Sequence, residues 1–542
     1  MVSILTVPEQ KSSGAVTVAL TPDDTREWLG KLVLAESEET LARIYHELHD
    51  LNRVPVKPEV RLRLLELYRA PVKFIVENIE AKLIDRNIPI SKSQAMLGEL
   101  CKRVMIEMAY GYKRVVLDLA RSIRSFKPSK DLRITIHRSI YYLAQSVLHS
   151  ALYYSIQPPG TWMEIHSLYS YARKFNLLQK PIRDALNQAK PKNSIAHIYQ
   201  QAILFGVSNV YRQSVPVTGK LYRYLDRWAS LVEVKDFDRA PTTRCQFVIE
   251  PEQDRPGHPF EKETAPKRTK SLLLLDARAI TNVAHSQWNE LGSGSKPKST
   301  GLGEEFFDGN GFEMLEQAIR AWGLAPRRQQ PRNTISGPFQ VVIGINGCVF
   351  CMNGEQAFTT AAAASSREVP DMTESNSQPT QPGVDEDPVR QNWMGVNEST
   401  HGICLSVDLG RPSSVLIRIG EVVAYRTNRG NARWSAGLVR WVCINDTELR
   451  TGIQQLGVDC RPAAINPIDV SDSSGANFKR GIFVPGGSGV KRFPSLVTPA
   501  GTYGSGRKLM VDDGKVTKTA QISKLLERSP HYDWFEFHLI DI

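Results

Sequence analysis

Arg328-Gln329-Gln330-Pro331-Arg332, the apolar run Phe339–Ile345, and then Asn397-Glu398-Ser399-Thr400-His401-Gly402 with the run Ile403–Leu405 open a region of short alternating segments over residues 326–462. Val415–Tyr425, Trp434–Val442 and Gly452–Cys460 continue it, each a few residues long. This pattern predicts a small antiparallel β-barrel. One stretch interrupts it: Ala361–Asp387 is dominated by Ala, Ser, Thr, Glu, Gln, Asp and Pro, too polar to bury a core, and a disordered insertion is expected over residues 355–390.

Outward from this region the texture changes on both sides. Residues 20–232 read as an all-α bundle of successive amphipathic helices. Thr21-Pro22-Asp23-Asp24 is a helix start, and Ser91 with Gln94 three residues on resembles a capping box. Further helical stretches are expected at 131–156, 162–175, 179–189, 194–206 and 208–232. Residues 240–325 form an α/β connector, with strands at Cys245–Ile249 and Leu272–Leu275 and helices at Ala277–Leu291 and Phe312–Trp322. Residues 478–542 read as a small β-rich segment closed by a helix at about 519–528. The fold class expected is therefore multidomain α + β: a helical bundle, then a small antiparallel barrel, then a minor β-rich tail.

Composition narrows the function classes. No apolar stretch approaches the roughly 18 to 20 residues of a membrane helix, and the N-terminal stretch has no basic region ahead of an apolar core, so no insertion or secretory leader is expected. Seven cysteines at 101, 245, 348, 351, 404, 443 and 460 do not make a disulfide framework, which fits the cytoplasm. The 68 Lys and Arg against 57 Asp and Glu give +11, spread along the chain, a weak preference for anionic partners. Cys348-Val349-Phe350-Cys351 has CxxC spacing but no second Cys or His pair, and it prolongs an apolar run, so buried thiols in a strand are expected in place of metal or redox chemistry. No paired carboxylates, nucleophile triad or metal cluster points to catalysis; no catalytic residue, metal or cofactor is assigned. Without interleaved aromatic and basic residues, nucleic acid is disfavoured as partner.

The two motifs carry specific chemistry. Two arginines four residues apart, with Pro331 keeping the segment extended, present planar forks that donate bidentate bonds to phosphates or to a guanine edge. Asn397 offers both donor and acceptor, Ser399 a rotatable hydroxyl, and Gly402 a backbone that can approach closely.

In this order, and with the phrases Ile419-Gly420-Glu421-Val422, Gly437-Leu438-Val439-Arg440-Trp441 and Leu456-Gly457-Val458 further along, residues 326–462 resemble the PilZ family. Its marks are an RxxxR segment leading into the first strand and a later D/N-x-S-x-x-G segment. The resemblance implies a receptor for cyclic di-GMP in which Arg328 and Arg332 clamp guanines and phosphates while Asn397, Ser399 and Gly402 line the opposite side. A protein partner is expected to be engaged through the helical domain. The alternative is a ligand-independent scaffold or chaperone-like interaction protein carrying a degenerate barrel. The insertion lengthens the Arg332 to Asn397 separation, but a loop costs only about 0.6 kcal/mol per doubling of length.

Overall fold

The first helix begins where its capping residue dictates. Thr21 Oγ1 accepts the backbone N–H of Asp24 at 3.2 Å, and Pro22 sits in the first turn, where its missing N–H is not needed. This helix, α1 (Pro22–Gly30), is followed by α2 (Ser37–Arg53), α3 (Pro58–Ala81), α4 (Lys92–Ser122), α5 (Lys130–Leu152), α6 (Thr161–Lys174), α7 (Ile195–Val207) and α8 (Val215–Trp228). The structure is a computed structural model that describes residues 4–11, 18–82, 91–122, 129–187, 189–238, 240–260, 271–294, 300–323, 331–361, 387–410, 417–428, 432–457, 459–468, 478–486 and 493–540. The capping box ahead of α4 is reciprocal: Ser91 N–H donates to Gln94 Oε1 at 3.3 Å and Gln94 N–H to Ser91 Oγ at 3.4 Å.

The bundle core is apolar and aromatic, with Trp162, Tyr68, Tyr112 and Tyr199 almost wholly buried. Charge is buried in it too. Asp184 accepts from Arg69 at 2.7 and 2.8 Å and from Arg138 at 2.6 Å, all three side chains being at most 6% exposed. Burial alone would push the Asp184 carboxyl up, but the two guanidiniums hold it below the ordinary range. This network explains a departure from the sequence reading. Residues 179–189 are not a helix; they contain β1 (Ile182–Arg183), paired with β2 (Lys192–Asn193), because Asp184 is turned inward to the arginines and Pro181 and Pro191 flank the turn.

An antiparallel sheet follows, β3 (Glu233–Asp236), β4 (Gln246–Ile249), β5 (His258–Pro259) and β6 (Leu273–Asp276), in the order β3-β6-β4-β5, with α9 (Arg278–Gly292) and α10 (Gly309–Gly323). Everything so far lies in one compact unit, Met1–Arg86 with Ile90–Arg327; Arg328–Ile542 with Asn87–Pro89 makes a second. None of the described helices is long and apolar enough to cross a membrane.

The second unit is two barrels. The first has β7 (Asn333–Thr334), β8 (Pro338–Ile343), the helix α11 (Ile345–Met352), β9 (Gln391–Ser399), β10 (Gly402–Asp408), β11 (Val422–Thr427), β12 (Ser435–Asn445) and β13 (Glu448–Gln455). Its strand order is β10-β13-β12-β11-β8-β9-β7, and a β9–β10 pairing closes the ring, with β7 attached outside β9. Val341, Trp393, Ile403, Leu405, Val423, Val439 and Ile453 alternate with outward residues along these strands and are buried. The second barrel is a closed ring of β14 (Arg461–Pro467), β15 (Lys479–Val484), β16 (Ser495–Pro499), β19 (Tyr532–Ile540), β18 (Thr517–Arg528) and β17 (Lys508–Asp512).

Several expectations are corrected here. Arg461 and Pro462 begin the second barrel and do not end the first. The tail is a closed six-stranded barrel, and the helix expected at 519–528 is the strand β18, paired on both edges with β17 and β19. Lys524–Arg528 has helix-forming residues, but the ladder it makes with β19 overrides so weak a preference. The Cys348–Cys351 pair is helical, because Gly344 at φ +92° ends the strand and redirects the chain into α11. Asn397 and Ser399 lie within β9, and Thr400 and His401 make the turn into β10. Of the insertion expected over 355–390, residues 362–386 lie outside those described; Phe358 is 5% exposed and Arg390 pairs with Glu355, so its described ends are packed.

Candidate ligand-binding face

The β9–β10 hairpin fixes three of the five sequence-predicted site residues. Ser399 faces Gly402 in the register and donates from Oγ to the Gly402 carbonyl at 3.3 Å, while Asn397 faces Cys404. The fourth comes from β7, whose Asn333 and Thr334 pair with Glu398 and Asn397. Arg332, one residue earlier, is thereby delivered, exposed, to the end of β9 that carries Ser399. Arg328 lies outside the described residues. The structure thus brings together the strand ends that carry Arg332, Asn397, Ser399 and Gly402, although residues 333–396 separate the two motifs in sequence.

Gly402 is required for a reason the sequence did not disclose. A Cβ there would stand 2.5 Å from the carbonyl oxygen of Ile453 on β13, so the close approach of two strands demands glycine.

Register then shows which other residues share this face. Partners directly opposite in antiparallel strands point the same way. Ser399, Gly402, Gln454 and Leu438 form one row; Asn397, Cys404, Gly452 and Trp441 form the next; Ser406, Arg450 and Cys443 form a third. The intervening rows, such as Ile403, Ile453 and Val439, fill the barrel. The site residues therefore lie on the outer face, on a floor made flat by Gly402, Cys404 and Gly452. Trp441 lies across Gly452, where a Cβ would meet the indole Nε1 at 1.8 Å. Trp441 entered the sequence reading only as the end of the phrase Gly437–Trp441, with no role given to it, and Arg450 did not enter it. Their signal was the position of each in strand register, available only once the strands are aligned.

Burial raises the Cys404 thiol pKa, Arg332 and Arg450 act to lower it, and Glu448 acts to raise it. Arg450 is partly neutralised by Glu448, at 2.7 and 2.9 Å. A thiol held protonated is no nucleophile, and the CxxC pair is alike: both thiols are buried, Cys351 being pushed up to about 12. Among the described residues no group of three His, Cys, Asp or Glu could hold a metal ion. The arrangement offers planar cations, amide and hydroxyl groups and one aromatic plane on a shallow floor, equipment for holding a flat anionic ligand.

The rest of the outer face is occupied. Val342, Val422, Ala424, Ala436 and Leu438 pack with Cys348 and Val349 of α11 and with Ala464, Ile482, Val484, Val497 and Trp534 of the second barrel in one apolar cluster. The β8-β11-β12 half is thus covered, and the β9-β10-β13 half bears the polar residues.

Comparison with known proteins gives a similar order of domains. Three family models match in order: the N-terminal domain of the cyclic-di-GMP receptor FimW over residues 23–240, its middle PilZ domain over 246–395, and the FimW C-terminal beta-barrel domain over 463–540. The middle match starts on β4 of the first unit, includes Arg332, and stops within β9 just short of Asn397. A curated protein of Pseudomonas aeruginosa, named Cyclic-di-GMP receptor FimW, is 22% identical over 98% of this chain and 93% of its own length. A helical, a PilZ and a C-terminal barrel model match in that order over residues 23–240, 246–395 and 463–540, so the chain is similar to PilZ-type receptors in the three-domain order that the FimW models describe.

Proposed function

We propose that this protein is a cytoplasmic receptor for cyclic di-GMP that performs no catalysis and passes ligand occupancy to a protein partner through its helical unit. The observation that carries the reading is the convergence of Arg332 with Asn397 and Ser399 on the open half of the barrel face. Cyclic di-GMP has two phosphates and two guanines, and arginine alone among side chains meets both with one planar fork. Arg332, with Arg328 four residues before it, would bind phosphate oxygens and the O6 and N7 edge of a guanine. Asn397 and Ser399 would take a second guanine edge, and Trp441 would offer a plane for stacking. Gly402 and Gly452 carry no side chain on this face, and the Trp441 indole lies over Gly452. Seven cysteines without a disulfide support a reducing compartment.

Titration calorimetry of cyclic di-GMP into the full-length protein tests this, with Arg328→Ala and Arg332→Ala variants and GTP as control. Micromolar or tighter binding, lost in both variants and absent with GTP, is expected. Folded wild-type protein giving no heat would favour a ligand-independent scaffold.

A further inference from the structure

We propose that Arg440 is a positioning residue through which the C-terminal barrel holds the ligand face, so that occupancy of the face and docking of that barrel are thermodynamically coupled. This rests on the receptor reading above. Arg440 is the extra residue of a bulge in β12, where the register with β13 shifts between Val439 and Trp441. Bulges re-aim a side chain out of the regular ladder. Here the guanidinium reaches in two directions.

On its own sheet, Arg440 Nε donates to Gln454 Oε1 at 2.7 Å, and Gln454 is the register partner of Gly402, in the same row as Ser399. Towards the second barrel, Nη1 and Nη2 each donate to a carboxylate oxygen of Glu527, the latter at 2.8 Å, and Nη1 lies 3.4 Å from the Tyr532 hydroxyl. Tyr532 itself donates to Glu527 at 2.6 Å. Glu527 sits at a bulge of its own, where β18 slips against β19 between Leu525 and Glu527. Two irregularities, one in each barrel, are thus joined by one bidentate pair whose side chains are 23% and 21% exposed.

The planarity of the fork makes this a relay. All of its bonds share one plane, so a shift of Gln454 when a ligand seats beside Gly402 must turn the plane or break a bond, which a flexible lysine would absorb. Tyr532 is fully buried in the apolar cluster that joins the barrels, so a moved Glu527 is felt by close-packed neighbours. Coupling of this kind is reciprocal: what ligand does to the barrel contact, the contact does to affinity.

The test combines cyclic di-GMP affinity with backbone amide exchange of residues 517–540, with and without ligand, in the full-length protein. Gln454→Ala is the decisive variant because it leaves the Arg440–Glu527 pair and the apolar docking surface in place. Wild-type protein is expected to bind and to show slowed exchange over 517–540. Gln454→Ala is expected to bind roughly three- to tenfold more weakly, with exchange there no longer responding to ligand, at an unchanged melting temperature. Glu527→Gln and Arg440→Lys should behave alike, and Glu527→Asp should restore part of the response. If Gln454→Ala keeps both the affinity and the exchange response of wild type, the relay is refuted while the receptor reading stands. Wild-type protein that binds no cyclic di-GMP overturns the receptor reading and this coupling with it.

Discussion

The two units put their arginines to opposite uses. In the helical unit Arg69 and Arg138 are buried and committed to Asp184 and Glu66, so their charge is spent on holding helices to the 182–193 hairpin. In the barrel unit Arg332 stands exposed just before β7, the strand paired with the end of β9. A buried pair of opposite charges adds little net stability, yet breaking it is costly; an exposed arginine costs the fold almost nothing and is available to a ligand. The count of basic residues therefore says little about binding, and their placement says much.

Acid should separate the units most strongly. His166 and His197 are buried in the helical unit and their pKa is lowered to about 4 by burial. A lowered imidazole stabilises the fold above its unfolded pKa of about 6.5, and that contribution is lost as pH falls from about 6.5 to about 4, on the order of 3 kcal/mol for each residue. Circular dichroism melts between pH 7 and pH 4 should show the helical signal failing before the β-signal; simultaneous loss would break the contrast. Next in size, Asp184→Ala leaves two guanidiniums buried and facing each other, and should cost about 3–5 kcal/mol in chemical denaturation while ligand affinity stays unchanged.

Arg332→Ala is the mirror experiment. It should leave the melting temperature within a degree or two of wild type while weakening cyclic di-GMP binding by about 2–3 kcal/mol, roughly 30- to 150-fold, by titration calorimetry. Trp441→Ala is expected to have the smallest effect, a loss of about 1–2 kcal/mol in affinity if the indole stacks on a base. Equal affinity in that variant would confine the site to the β7, β9 and β10 side of the face.

What the sequence disclosed follows from how local each signal is. Thr21 and the Ser91–Gln94 box mark helix starts because a cap is made within four residues, and both form as read. The order of helical bundle, barrel and further β-structure was legible from periodicity alone. β18 was misread because Lys524–Arg528 favours helix by itself and only its pairing with β19, the next strand, makes it a strand. The CxxC pair was taken as strand because nothing in Ile345–Met352 itself announces that Gly344 turns the chain. At the proposed site, Asn397, Ser399 and Gly402 were read from a motif, and the need for glycine at 402 comes from a carbonyl on β13 some fifty residues away in sequence. Trp441, Arg450 and the Arg440–Glu527 pair belong to the face through register and barrel packing, which no short motif encodes.

Amide exchange over the whole chain, with and without cyclic di-GMP, tests most directly whether the open half of the barrel face is the receptor site. Slowed exchange centred on residues 391–407 and 448–455 is the predicted result. Slowing confined to the helical unit, or to the covered strands 338–343 and 422–427, would contradict it.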